Sequence, residues 1–105
     1  KQFIIYPKST KITKLKPRRK GFIVNWKKQP AQISGYELAY STDSKFRNRK
    51  TKIVAVSKNK TKKTLNGLKK KKYYVRIRTY KTVRQNGKTT KLYSSWSPSK
   101  KITVP

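Results

Sequence analysis

The sequence predicts an all-β protein, a seven-stranded antiparallel β-sandwich, and three observations point there. Apolar and polar residues alternate with period two, most clearly at Phe22, Val24, Trp26 and at Tyr73, Val75, Ile77. Thr, Val, Ile and Tyr dominate the ordered stretches, and no segment repeats apolar residues at the three-and-four spacing of a helix. Turn-forming Pro, Gly and Asn separate the stretches.

Taken in order, residues 1–9 read as a linker or lead-in to the first strand, and 10–105 as one domain. The lead-in is apolar only over 3–6 and is broken by Pro7. A weak strand is expected at 12–15, ended by a turn over 16–21 that Pro17 and Gly21 punctuate. Phe22, Val24 and Trp26 then mark the inward face of a strand. After a loop at 29–32, Tyr36, Leu38 and Tyr40 line one face of the next strand, with Glu37, Ala39 and Ser41 on the other. Polar residues 42–51 lead to a strand at 52–56, and a short one is placed at 64–65. The strongest strand is 73–80: Tyr73, Val75, Ile77 and Thr79 face inward, and Tyr74, Arg76, Arg78 and Tyr80 face out. Asn86-Gly87 marks a hairpin turn, because both residues tolerate positive φ. Residues 81–92 are otherwise read as a loop, and the last strand carries Ile102 and Val104 inward.

Composition narrows the function classes. The chain has 31 Lys and Arg against two acids, Glu37 and Asp43, for a net charge of +29, and no His, Cys or Met. Without His or Cys there is no imidazole base, no thiolate nucleophile and no imidazole or thiolate metal site. Two carboxylates make no convincing oxygen cage for calcium or magnesium. We therefore expect neither enzyme activity nor a cofactor. No apolar run approaches the roughly 20 residues of a membrane helix, so no membrane insertion is expected. A charge this high with 32% hydrophobic residues sits where many chains stay disordered. Seven Tyr, three Phe and two Trp in regular alternation argue for a folded domain with a minimal core.

In order, Trp26 within Gly21-Phe22-Ile23-Val24-Asn25-Trp26, then Gly35-Tyr36-Glu37-Leu38-Ala39-Tyr40, Leu65-Asn66-Gly67-Leu68, Tyr73-Tyr74-Val75-Arg76-Ile77-Arg78, Ser95-Trp96-Ser97 and Ile102-Thr103-Val104 resemble a fibronectin type III domain, an immunoglobulin-like sandwich. The chain looks like the lysine-rich versions in surface or secreted proteins of Gram-positive, clostridia-like bacteria. The resemblance implies structural roles: Trp26 at the core centre with Tyr36, Leu38, Val75 and Ile77, Tyr73 as a corner hydroxyl, and Leu68 beneath it. One departure concerns the five-residue separation of Leu68 from Tyr73, where the family usually has six. Either the corner tightens or Tyr74 takes the role. The alternation with Val75 and Ile77 favours Tyr73, since a one-residue slip would turn that face to water. The family has no general catalytic site.

If successive strands alternate in direction, the loops at 16–20, 42–51 and 66–72 share one end of the sandwich. That end then collects Lys16, Arg18, Arg19, Lys20, Arg47, Arg49, Lys50, Lys69, Lys70, Lys71 and Lys72, candidates for binding a polyanion. Most of the charge is lysine, a hydrated point charge, so recognition of charge density rather than of sequence is expected. At a Debye length of about 8 Å, neighbouring cations on so small a surface still repel. The stripe Tyr74, Arg76, Arg78, Tyr80 is a second candidate, since Arg can fork to an oxyanion and Tyr can stack. The plainer and favoured reading pairs Arg76 or Arg78 with outward-facing Glu37 on a neighbouring strand. The expected role is a non-catalytic, monomeric spacer or adhesion module, secreted or on the cell surface and associated with the cell wall. Its partners would be neighbouring domains and anionic polymers: cell-wall or host glycans, or nucleic acid non-specifically. A dedicated protein-binding module and an engineered supercharged scaffold are the alternatives.

Overall fold

The computed structural model describes residues 6–30 and 32–105; the lead-in at 1–5 and Ala31 lie outside the described residues. Eight strands run in the order β1 (Ile12–Arg18), β2 (Gly21–Trp26), β3 (Gly35–Ser41), β4 (Thr51–Ser57), β5 (Lys62–Leu65), β6 (Lys72–Gln85), β7 (Lys88–Tyr93) and β8 (Lys100–Thr103). A 3-10 turn at Asn48–Lys50 interrupts the β structure. One sheet is β1-β2-β5. The other is β4-β3-β6-β7, with β8 also paired to β6, and every pairing is antiparallel. The all-β sandwich expected from periodicity is the fold observed.

Alternation explains the core. Phe22, Val24 and Trp26 of β2 meet Tyr36 and Leu38 of β3 and Tyr73, Val75 and Ile77 of β6, all buried. Trp26 tilts onto Tyr36 at 5.4 Å between ring centroids, and Phe22 lies 5.8 Å from Tyr73 and edge-on to Tyr40 at 6.3 Å. Buried aromatic rings keep their polar tips bonded. The Trp26 indole N–H donates to the Lys60 carbonyl at 3.1 Å, and the Tyr36 hydroxyl accepts from the Gln29 N–H at 2.9 Å. Leu68, half-buried, packs at the rim of the same cluster. Tyr73 pairs with Ile102 and points inward, while Tyr74 is half-buried on the other face. The register therefore takes Tyr73 as the inward residue, although its contacts are with rings: among the described residues its hydroxyl makes no hydrogen bond.

Four expectations need correction. Strand β1 runs through Pro17 to Arg18 instead of ending at 15, with Pro17 opposite Phe22. An edge strand tolerates proline because the missing N–H leaves no ladder bond unmade. The turn is confined to Arg19 and Lys20, the latter at φ 60°. Second, 81–92 is not a loop. Strand β6 continues to Gln85, turns at Asn86-Gly87 with φ of 53° and 77°, and returns as β7. Third, the count is eight because the final strand is broken at 94–99. There the Ser94 and Ser97 hydroxyls accept the N–H groups of Thr79 and Ile77 at 2.9 and 3.0 Å, and their own N–H groups donate back to the same two residues. Side chains thus replace the ladder across the break. Finally, Glu37, Ala39 and Ser41 do lie on the face away from the core, yet all three are buried.

Because β7 and β8 pair with the same strand and run the same way, they count as one interrupted strand, and Lys8 and Val104 lie at opposite poles. The Thr79 hydroxyl donates to the Lys8 carbonyl near one pole, and the Val104 N–H donates to the Lys71 carbonyl at the other. At the second pole Gly21 is indispensable, for a Cβ there would sit 1.8 Å from the Leu65 carbonyl oxygen. Phe22→Ala should lower unfolding free energy by about 3–5 kcal/mol in urea denaturation. Gly21→Ala should also be clearly destabilising, although it removes no apolar surface. A Gly21→Ala variant as stable as the parent would contradict the close approach of β2 and β5.

Candidate anion-binding end and the outer aromatic-arginine stack

The three loops predicted to share a pole do converge. The Leu68 N–H donates to the Lys20 carbonyl at 2.9 Å, tying the β5–β6 connection to the β1–β2 turn. Residues Lys50, Lys52, Lys69 and Lys71 line one cleft at this end, and Arg19, Lys20, Lys69 and Lys70 line another. All eleven candidates (Lys16, Arg18, Arg19, Lys20, Arg47, Arg49, Lys50, Lys69, Lys70, Lys71 and Lys72) are exposed.

Asp43 is the acid of this end, and it is already engaged. Its carboxylate accepts the Lys45 N–H at 3.0 Å and the Arg47 N–H at 3.3 Å, and the Arg47 Nε lies 2.9 Å from Oδ2. The Lys45 N–H foremost holds its carboxyl below the usual carboxylate range; desolvation opposes it next, and the Arg47 N–H and the charges of Arg47 and Lys50 add to the lowering. A carboxyl depressed in the folded state adds stability above its ordinary pKa, and this is lost as pH falls through the lowered value. Asp43 therefore shapes the loop and leaves the surrounding cations without a free counter-charge.

The second candidate, the stripe on β6, is built differently from an open binding surface. Arg76 and Arg78 are half-buried between aromatic rings in a continuous stack: Phe46, Arg76, Trp96, Arg78, Tyr93. The guanidinium carbons lie 4.1 and 4.4 Å from the Phe46 and Trp96 centroids for Arg76, and 4.2 and 3.7 Å from those of Trp96 and Tyr93 for Arg78. Planar guanidinium groups suit such sites because they are weakly hydrated and attracted to ring faces. Arg78 also donates from Nε and Nη2 to the Glu37 Oε1 at 3.0 and 2.7 Å, and the Lys91 Nζ stands 3.9 Å from Oε2. So Arg78, on the strand beside Glu37, makes the pair, and Arg76 does not. The Arg76 Nε is buried without a hydrogen-bond partner, and burial, then the charge of Arg78, pull that guanidinium's pKa below its ordinary value. Tyr74 and Tyr80 are half-buried on either side, and Lys91 lies 4.8 Å over the Tyr80 ring.

The sequence reading missed Phe46, Tyr93 and Trp96 as partners of this stack. Ser95-Trp96-Ser97 was visible as a motif, but Phe46 sits in a polar loop at φ 54°, a position no periodicity marks. Among the described residues, no group of His, Cys, Asp or Glu could hold a metal ion, and no helix is long and apolar enough to cross a membrane.

Two facing antiparallel sheets with an interrupted last strand define an immunoglobulin-like sandwich. The chain belongs to the fibronectin type III domain family, whose model matches residues 6–94. Domains of this family are generally non-catalytic and are typically modules of larger proteins. Strand β8, beyond the matched residues, completes the sheet here. Among solved structures, a computationally redesigned β-sandwich protein is similar, with a TM-score of 0.63 and 19% identity over 97% of this chain and 91% of that one. At that identity the likeness speaks to the fold alone. No curated protein matches the chain.

Glu37→Gln should lower stability by about 3 kcal/mol, since it leaves Arg78 buried among rings without a counter-charge. Urea denaturation followed by tryptophan fluorescence checks this, and a loss under about 1 kcal/mol would show that the rings alone hold the stack.

Proposed function

We propose that this domain is a non-catalytic, extracellular spacer or adhesion module of a larger surface or secreted protein. Its cationic end associates with anionic polymers through charge density. One observation carries the reading: eleven exposed Lys and Arg side chains from three loops and the strand ends beside them gather at one end, where the acid present, Asp43, is consumed within its own loop. The resemblance to lysine-rich domains of Gram-positive surface proteins supports a cell-wall setting, with wall polymers, anionic host glycans and nucleic acid as the polymers of matching charge. The stack on the outer face works against a stacking readout of bases, because the Arg76 and Arg78 guanidinium faces are already occupied.

Attraction by condensed counterion release weakens linearly in log affinity with log salt. For six to ten phosphate contacts on duplex DNA the loss between 50 and 200 mM salt is about 10³- to 10⁵-fold. Binding to heparin, polyphosphate and duplex DNA, measured by calorimetry at those two concentrations, should fall steeply for all three. Affinity for one polymer that survives high salt while the others are lost would replace this reading with a shaped protein- or glycan-specific site.

A further inference from the structure

We propose that the cleft between 40–52 and 67–73 is a discrete subsite for one tetrahedral oxyanion ester, a phosphate or sulfate group carried on a sugar or polyol. The inference rests on the polyanion reading and sharpens it: one place on the cationic end holds the ligand, and the remaining charge only attracts it.

The cleft has a volume of about 260 Å³, enough for one such group and part of its carrier. Lys50, Lys52, Lys69 and Lys71 line it, with Tyr40 and Tyr73 beneath. Neither acid lines it: Asp43 is tied up in its own loop, and Glu37 lies on the far face of the sheet with Arg78. The rings below are packed against one another, Tyr73 at 5.8 Å from Phe22 and 6.4 Å from Tyr40. Tyr73 is 7% exposed. The Tyr73 ring therefore offers no open face on which a base would stack. The Tyr40 phenol, whose pKa burial and then the neighbouring Tyr73 raise, is protonated at neutral pH as any tyrosine is, and so can donate. Lysines supply charge from several directions, phenols supply neutral donors, and the Leu68 side chain gives the carbon skeleton of the carrier an apolar wall. Gly67, at φ 69° with open space where a Cβ would stand, turns the chain so that its flanking residues border the cleft.

The test titrates glucose 6-phosphate, glucose 6-sulfate and dithymidylate into the isotope-labelled domain, followed by backbone amide shifts, with heparin binding measured in parallel. Saturable shifts confined to 40–42, 50–52 and 67–73 are expected for the sugar esters. Tighter binding of the phosphate or of the sulfate would say which polymer is the source. Two charge-matched double variants separate a site from a field. Lys50→Gln/Lys69→Gln should weaken ester binding by about five-fold or more, and Lys70→Gln/Lys72→Gln by less than about two-fold. Equal losses, ester shifts spread over every lysine, or shifts in the cleft from dithymidylate alone would overturn the subsite. If heparin still bound in those cases, the polyanion reading would stand without it. Localised ester binding with no affinity for heparin would keep the subsite and remove the polymer.

Discussion

Burial of aromatic rings between two sheets is the interaction on which the remainder of this structure depends. With 31 cations and two carboxylates, electrostatics opposes folding nearly everywhere. The opposing contribution comes from Phe22, Trp26, Tyr36 and Tyr73 and the aliphatic residues among them, each fully buried side chain contributing about 1.5–3 kcal/mol. The position of these residues on alternate sites of β2, β3 and β6 sends every charged neighbour to an outer face. The same period of two that builds the core thus keeps the lysines hydrated.

The outer face of the larger sheet adds a second, thinner layer of packing. Phe46, Trp96 and Tyr93 cover Arg76 and Arg78, and this cover leaves Ala39 and Glu37 buried on a face that would otherwise be wet. Glu37 is worth more here than one acid among 105 residues suggests, because it neutralises Arg78 where the flanking rings restrict water. The break at 94–99 belongs to the same device. By handing the ladder bonds to the Ser94 and Ser97 hydroxyls, the chain frees Trp96 to lie between the two guanidinium groups. The two arginines of the β6 stripe are thereby used for structure, while the cations of the loops at the Asp43 end stay exposed.

How much of this was legible follows from which features are local. The inward faces of β2, β3 and β6 were readable because apolar alternation is a local signal. The convergence of three cationic loops at one end was readable too, since it needs only the number and direction of the strands. Strand β7 escaped because its ribbon projects beyond the core: Thr82, Arg84, Thr89 and Thr90 are exposed, so neither face carries an apolar pattern. Pro17 misled because its place on an edge strand depends on sheet order. The stack escaped because it joins residues 46, 76, 78, 93 and 96, which only the tertiary fold brings together. The cleft over Tyr40 and Tyr73 is likewise a product of the folded rim, as both tyrosines read as core.

The most direct test of the claim that burial of the rings and their aliphatic neighbours overcomes the charge unaided is amide hydrogen exchange at low ionic strength, with and without an added polyanion. Strong protection of 22–26, 36–39 and 73–79 in the free domain is predicted, with the polyanion adding protection only at 16–20, 42–50 and 66–72. Core amides that exchange freely until the polyanion is added would show that the sandwich forms only once its charge is neutralised, and would contradict the account.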